Sequence, residues 1–162
     1  AAESATEYSS HAHTVELDTG QVDTFLKCRD AKFNQSGNPI PIEEFEYKVR
    51  RMINDYIVPP KNDYKLNNAL WWMDRFRKEL VELVRVNDVH DLFKVYEVEN
   101  IIQCATMSAL ASRERRESRW GLWHYRTKYP DLNDQAWLKH IVLTQGEARE
   151  HVKISHKEII KL

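Results

Sequence analysis

Residues 113–140 read RERRESRWGLWHYRTKYPDLNDQAWLKH. The chain before them has helical periodicity, and the chain after them reads as a short hairpin, so this stretch decides where a helical body ends. It holds five arginines, three tryptophans and two histidines. Guanidinium groups and flat rings in one place can pair with carboxylates, stack on each other, or bind an anion. Residue chemistry alone leaves four readings open. The stretch is a salt-bridge knot within or between domains, a partner surface rich in Trp, Tyr and Arg, a site for a small anion, or a single-strand nucleic-acid surface.

On a helix continued through this stretch, Arg113 and Glu117 are four residues apart and would pair. Arg115 and Arg119 would share another face and repel unless an anion joined them. The dipole also favours cations late in a helix, which explains part of the clustering without any ligand. His124 and His140 are acid–base residues by type, but neither has a partner at a catalytic spacing.

Working back, Val22, Phe25, Leu26, Arg29 and Phe33 recur at helical spacing, and Gln35 to Pro39 supply turn residues. Pro41 suits a helix start, with Glu43 and Glu44 in the first turn. Phe45, Val49, Met52, Ile53 and Tyr56 then mark one face, and Pro59-Pro60 stops it. A third helix carries Leu66, Ala69, Leu70, Met73, Phe76, Leu80, Leu83 and Val84 on one stripe. Trp71 and Trp72 are adjacent and cannot both enter one core. Asn87-Asp88 is an N-cap signal for a long fourth helix from about Val89 to Ser118. Working forward, Trp137–Thr144 and Glu150–Ser155 flank Gln145-Gly146 and read as a hairpin. The expected fold is mainly α, an antiparallel bundle of three or four helices with a small C-terminal β-hairpin.

At 162 residues the chain suits one domain. Its net charge of -1 gives no global attraction for nucleic acid, and none is expected as a partner. No apolar run approaches the ~20 residues of a membrane span. Cys28 and Cys104 stand far apart, the pattern of two reduced packing thiols rather than a zinc site. His11 and His13 form an isolated pair with no third ligand near. Absent are a GxGxxG after a strand, a phosphate loop, a nucleophile elbow, HExxH and an EF-hand loop. The start, AAESATEYSS, has no initiator Met and reads like the last turns of a helix from a longer chain.

Glu117-Ser118-Arg119, His124-Tyr125-Arg126, Tyr129-Pro130, Asn133-Asp134 and Trp137-Leu138-Lys139-His140 resemble the C-terminal segment of the fumarate reductase/succinate dehydrogenase flavoprotein family. That family's pattern is roughly R-x-ESRG-x-H-x-R-x-D-x-P-x-R-D-D-x-x-W. Four residues, Trp120 to Trp123, separate Arg119 from His124, where the usual pattern has two. This spacing, and Asn87 to Leu92, are closer to the adenylylsulfate reductase alpha-subunit branch. Lys128 stands where the pattern has an acid and Leu132 where it has Arg, which puts one salt bridge of the usual knot in question.

The resemblance implies a C-terminal helical domain of an FAD-dependent oxidoreductase subunit. FAD would be held by an upstream domain, and this chain alone would be neither flavin-binding nor catalytic. Residues 1–14 would be the remnant of an upstream FAD-domain helix or linker, 15–120 the bundle, and 121–162 the irregular segment and hairpin. Arg116, Glu117, Ser118, Arg119, Trp120, His124, Tyr125 and Arg126 would form a docking knot against the FAD-binding domain and an iron–sulfur subunit. The location implied is cytoplasmic, or peripheral at the inner face of the membrane through partner subunits. From another class, a free-standing helical interaction module with an Arg/Trp patch also fits the residues.

Overall fold

The computed structural model describes residues 2–11, 18–33, 39–146 and 152–159. Its elements are α1 (Ala2–His11), α2 (Thr19–Phe33), β1 (Ile40–Pro41), α3 (Ile42–Tyr56), α4 (Asp63–Glu82), β2 (Val84–Arg85), α5 (Val89–Glu114), α6 (Asp134–Trp137), β3 (Lys139–Gln145) and β4 (Val152–Glu158). The mainly helical expectation with a small hairpin holds. His13, the turn residues 35–38 and residues 150–151 lie outside the described residues.

Local signals place the helix starts. The Asn62 side chain accepts the Lys65 amide at 2.8 Å and opens α4. At α5 the Asp88 carboxylate accepts the Asp91 amide at 2.9 Å, and the Asp91 carboxylate reaches back to the Asn87 amide at 2.9 Å. The pair satisfies one donor that the helix start leaves bare, the Asp91 amide, and fixes the Asn87 amide just ahead of the cap. Pro41, fixed at φ −63°, stands just outside α3 as its cap residue.

The core is built by α3, α4 and α5. Ile42, Phe45 and Val49 meet Leu66, Ala69, Met73 and Phe76, with Val95, Val98, Ile102 and Ala109 closing the third side. Each large side chain buried here contributes roughly 1.5–3 kcal/mol. Phe45 and Phe76 meet edge to face at 5.6 Å. Helix α4 runs antiparallel to α5: Asn67 touches Arg113 and Arg77 touches Thr106. Ile40 and Pro41 pair in parallel with Val84 and Arg85, tying the start of α3 to the end of α4.

Two expectations need adjustment. Helix α2 forms where its periodicity places it, yet it buries no residue. It touches the body through Phe25, which stacks on Tyr96 at 5.7 Å, and through Lys32 over the same ring. The bundle core is therefore made of three helices. Helix α5 ends at Glu114, short of Ser118, because Arg115 turns to an extended backbone with φ −73° and ψ 107°. The helix-face pairing of Arg113 with Glu117 does not form as a result. Trp71 is exposed, whereas Trp72 packs against Phe76 at 5.6 Å. The hairpin pairs β3 and β4 antiparallel, with Leu143 opposite Ile154 and Ile141 opposite His156.

Candidate functional site

What stops α5 is a guanidinium. Arg126 is fully buried. Its Nη1 donates to the carbonyls of Ser112, Arg113 (3.3 Å) and Arg115 (3.1 Å), and its Nη2 donates to the Asp63 carboxylate at the head of α4. The last turn of a helix leaves carbonyls without partners and carries partial negative charge, so a cation there answers both needs. Burial pulls the Arg126 pKa down and Asp63 pushes it back.

A second centre is Glu117, also fully buried. One carboxylate oxygen accepts Arg115 Nη1 at 2.7 Å and Arg119 Nε at 2.7 Å. The other accepts Arg119 Nη2 at 3.1 Å and the Asn133 amide at 2.9 Å. Burial pushes this carboxyl upward, but the hydrogen bonds from Arg119, Asn133 and Arg115 outweigh it and hold the pKa below the ordinary range. The two arginines therefore do not repel across a helix face; an anion from the same chain joins them. Arg119 also bonds Asp134 at 2.6 Å, and Arg115 ties the carbonyls of Trp137 and Lys139 at 2.8 Å each. Arg115 thus anchors the base of the hairpin to the end of α5.

Backbone stitching completes the knot. The Lys61 amide donates to the Tyr125 carbonyl at 2.9 Å and the Thr127 amide to the Lys61 carbonyl at 3.0 Å. Ser118 Oγ accepts the Arg126 amide at 2.8 Å and donates to the Tyr129 carbonyl at 2.7 Å. The Lys61 ammonium is buried against Ser112 Oγ at 2.9 Å. His124 lies beside it, also buried, with Nε2 unpartnered. Burial, with the nearby Lys61 charge adding to it, pushes the His124 pKa down to about 4. The ring is neutral at pH 7.

Above this base stands a tight loop. Arg119 and His124 pair antiparallel, the Arg119 amide donating to the His124 carbonyl at 3.0 Å, and Trp120 to Trp123 form the tip. Trp120 and Gly121 are both left-handed, at φ 57° and 61°. The tip side chains are 67% (Trp120), 80% (Leu122) and 83% (Trp123) exposed. A groove of about 480 Å³ runs along its flank, lined in part by Arg119, Trp120, Leu122, Tyr125, Pro130 and Leu132.

The eight expected docking residues thus divide. Glu117, Ser118, His124 and Arg126 are buried in the chain's own knot, and Arg119 and Tyr125 are half-buried. Arg116 and Trp120 are exposed. The expected docking set leaves out Leu122 and Trp123, the outermost apolar side chains, although Trp123 counts with Trp120 and Tyr125 towards the single-strand nucleic-acid reading. It also leaves out Lys61 and Asp63 as members of the knot. The four-residue spacing between Arg119 and His124 was the available signal for the tip. Lys128, at an acidic position of the pattern, reaches only to 4.0 Å from Asp63, and Leu132 lines the groove. Among the described residues no group of three or more His, Cys, Asp or Glu could hold a metal, and no helix is long and apolar enough to cross a membrane.

No curated protein sequence matches the chain. By fold it is similar to adenylylsulfate reductase from Archaeoglobus fulgidus, with a TM-score of 0.82 and 19% identity over 91% of this chain and 26% of that one. An adenosine-5-phosphosulfate reductase in complex with sulfite matches equally, with a TM-score of 0.82 and 19% identity, over 91% of this chain and 26% of that one. The Mycobacterium smegmatis Sdh1 complex matches at a TM-score of 0.74 and 16% identity, over 94% of this chain and 26% of that one. The chain therefore spans about a quarter of the length of these structures. The sequence model described as "Fumarate reductase flavoprotein C-term" matches residues 46–161, which cover α4, α5, the knot and the hairpin. With most of its length matched, knot and tip included, this chain belongs to the fumarate reductase flavoprotein C-terminal family.

Proposed function

We propose that the chain is the non-catalytic docking domain of an FAD-dependent reductase flavoprotein of the adenylylsulfate reductase type. The flavin would sit on an upstream domain, and the residues 120–123 tip would seat against that body or against an iron–sulfur subunit. The observation that carries this reading is the tip: three large apolar side chains held outward on a loop whose base is fixed by a buried ion knot. A soluble monomer gains nothing from such a display, whereas a partner surface gains rigid aromatic anchors. In this reading the buried arginines do not touch the partner; they fix the loop that does.

The test is binding of the 162-residue chain to a separately purified iron–sulfur subunit and to the flavin-carrying body. Replacing Trp120, Leu122 and Trp123 together by Ala is expected to weaken at least one of these contacts by roughly 30-fold or more, with the thermal midpoint unchanged. Unaltered affinity for both would sink the reading. The chain alone is expected to purify colourless, and a flavin absorbance band would count against it.

The self-sufficient three-helix core favours a second reading, a free-standing interaction module. A reading frame opening near Ala1 with its own Met supports the module. One that continues upstream through a GxGxxG supports the reductase domain.

A further inference from the structure

The surface around the tip is basic in excess of what the knot consumes. Residues 61–65 and 113–134 contain eight Lys and Arg against five Asp and Glu, while the whole chain carries -1. The carboxylates are mostly spoken for. Glu117 lies beneath Arg115 and Arg119, Asp134 holds Arg119, Asp63 holds Arg126, and Glu114 holds His156 at 3.2 Å. Asp131 is exposed and has no ion pair among the described residues.

The cations left over face solvent. Arg113 is exposed, and among the described residues its side chain bonds the neutral side-chain oxygen of Asn67, at 3.1 Å. Arg116 is exposed and has no ion-pair partner among the described residues. Lys128 is exposed and lies 4.0 Å from an Asp63 already bonded to Arg126. All three belong to one end of the bundle. Arg113 contacts the second turn of α4, Lys128 contacts its first residue, and Arg116 is close enough to Arg126 for its charge to be felt there. The tip rises from the same place, since its strand is hydrogen-bonded to Lys61, two residues before Asp63.

We propose that this end of the domain recognises a protein surface with an apolar slot rimmed by carboxylates, the tip filling the slot and Arg113, Arg116 and Lys128 meeting the rim. The proposal rests on the docking reading above and adds the chemistry of the partner. Three exposed cations, one bonded to a neutral amide, one at 4.0 Å from a shared carboxylate and one with no ion pair among the described residues, stand beside three exposed apolar side chains and leave a partner with two requirements. It must cover apolar area at the centre and supply negative charge at the edge, the usual arrangement of a core and a polar rim. Exposed rim charges act over about a Debye length and govern the association rate more than the dissociation rate.

The experiment measures association and dissociation rates of the 162-residue chain on an immobilised iron–sulfur subunit between 50 and 500 mM NaCl. Wild type is expected to lose affinity about tenfold over that range, mainly in the association rate. The triple variant R113E/R116E/K128E is expected to bind about 30-fold more weakly at low salt and to show a reversed or flat salt response. Arg116→Glu alone, at a position with no local ion pair, is expected to lose about threefold, and it serves if the triple variant misfolds. Should the Trp120, Leu122 and Trp123 alanine variant lose binding while salt and charge reversal change nothing, this inference is overturned and the docking reading survives. Should neither set change binding, this inference falls, and the docking reading falls with it if binding to the flavin-carrying body is equally unaltered. Retention of a single-stranded oligonucleotide at low salt, with an affinity matching that for the protein, would mean the cations read phosphate, and would also overturn it.

Discussion

His124 shows what a single buried ring does to the energetics of the domain. Its pKa in the fold is about 4, while an unfolded chain returns it to near 6.5. Between those values the unfolded state binds the proton more readily, so stability is full above about pH 6.5 and declines as pH falls towards 4. The shift corresponds to at most about 3 kcal/mol. Chemical denaturation across this window should show the decline, and His124→Gln should flatten it. Glu117 works in the opposite chemical sense at lower pH. Its folded pKa is depressed, so its contribution is present above the unfolded value near 4.3 and is lost as pH drops through the folded one. Replacing it by Ala leaves Arg115 and Arg119 facing each other without the buried anion between them, Arg119 keeping only the exposed Asp134. The expected loss is about 3–5 kcal/mol, read from the denaturant midpoint. None of this was legible from residue types. The sequence displayed acids and bases at suggestive intervals but not which would be enclosed. The helix-face pairs inferred from spacing failed because Arg126, more than ten residues further on, takes the carbonyls of α5 that a further turn would have used.

At the scale of elements, the tip is a strained device. A non-glycine residue at φ 57° costs roughly 1–2 kcal/mol, and Trp120 bears that cost on the surface. Trp120→Gly is therefore expected to leave the thermal midpoint equal or higher while weakening partner binding. A stability loss of 1 kcal/mol or more would mean the indole packs usefully on its own chain. Gly121→Ala tests the neighbour. A Cβ there meets nothing within 4 Å, so the whole penalty, about 1 kcal/mol, comes from the backbone at φ 61°. Helices α3, α4 and α5 were readable because their apolar stripes are regular and, at α5, the Asp88 cap agrees with the stripe; the Asn62 cap of α4 was not read. Helix α2 was readable as a helix but not as a poorly docked one. Periodicity reports which face a helix would bury, and says nothing of whether a neighbour covers it.

For the whole molecule, stability is unevenly spread. Helix α2 has no buried residue, whereas α3, α4 and α5 hold the core. Amide exchange in α2 is expected to be faster by several orders of magnitude than at Val98 or Ile102 at the centre of α5. Equal protection would show that α2 shares the global unfolding event. The fold class and the family were legible because the pattern of residues 117–140 sits on a helical body of ordinary periodicity. The division of the knot into an inner and an outer layer was not, since it depends on contacts between segments some sixty residues apart.

The pairing of Lys61 with Arg126 makes the tip depend on two helix ends at once: its base is stitched to the head of α4, and Arg126 holds carbonyls at the tail of α5, so the tip keeps its aim only while those ends lie side by side. Under the docking proposed above, loosening α4 from α5 would blunt binding at a distance, without altering any side chain of the contact itself.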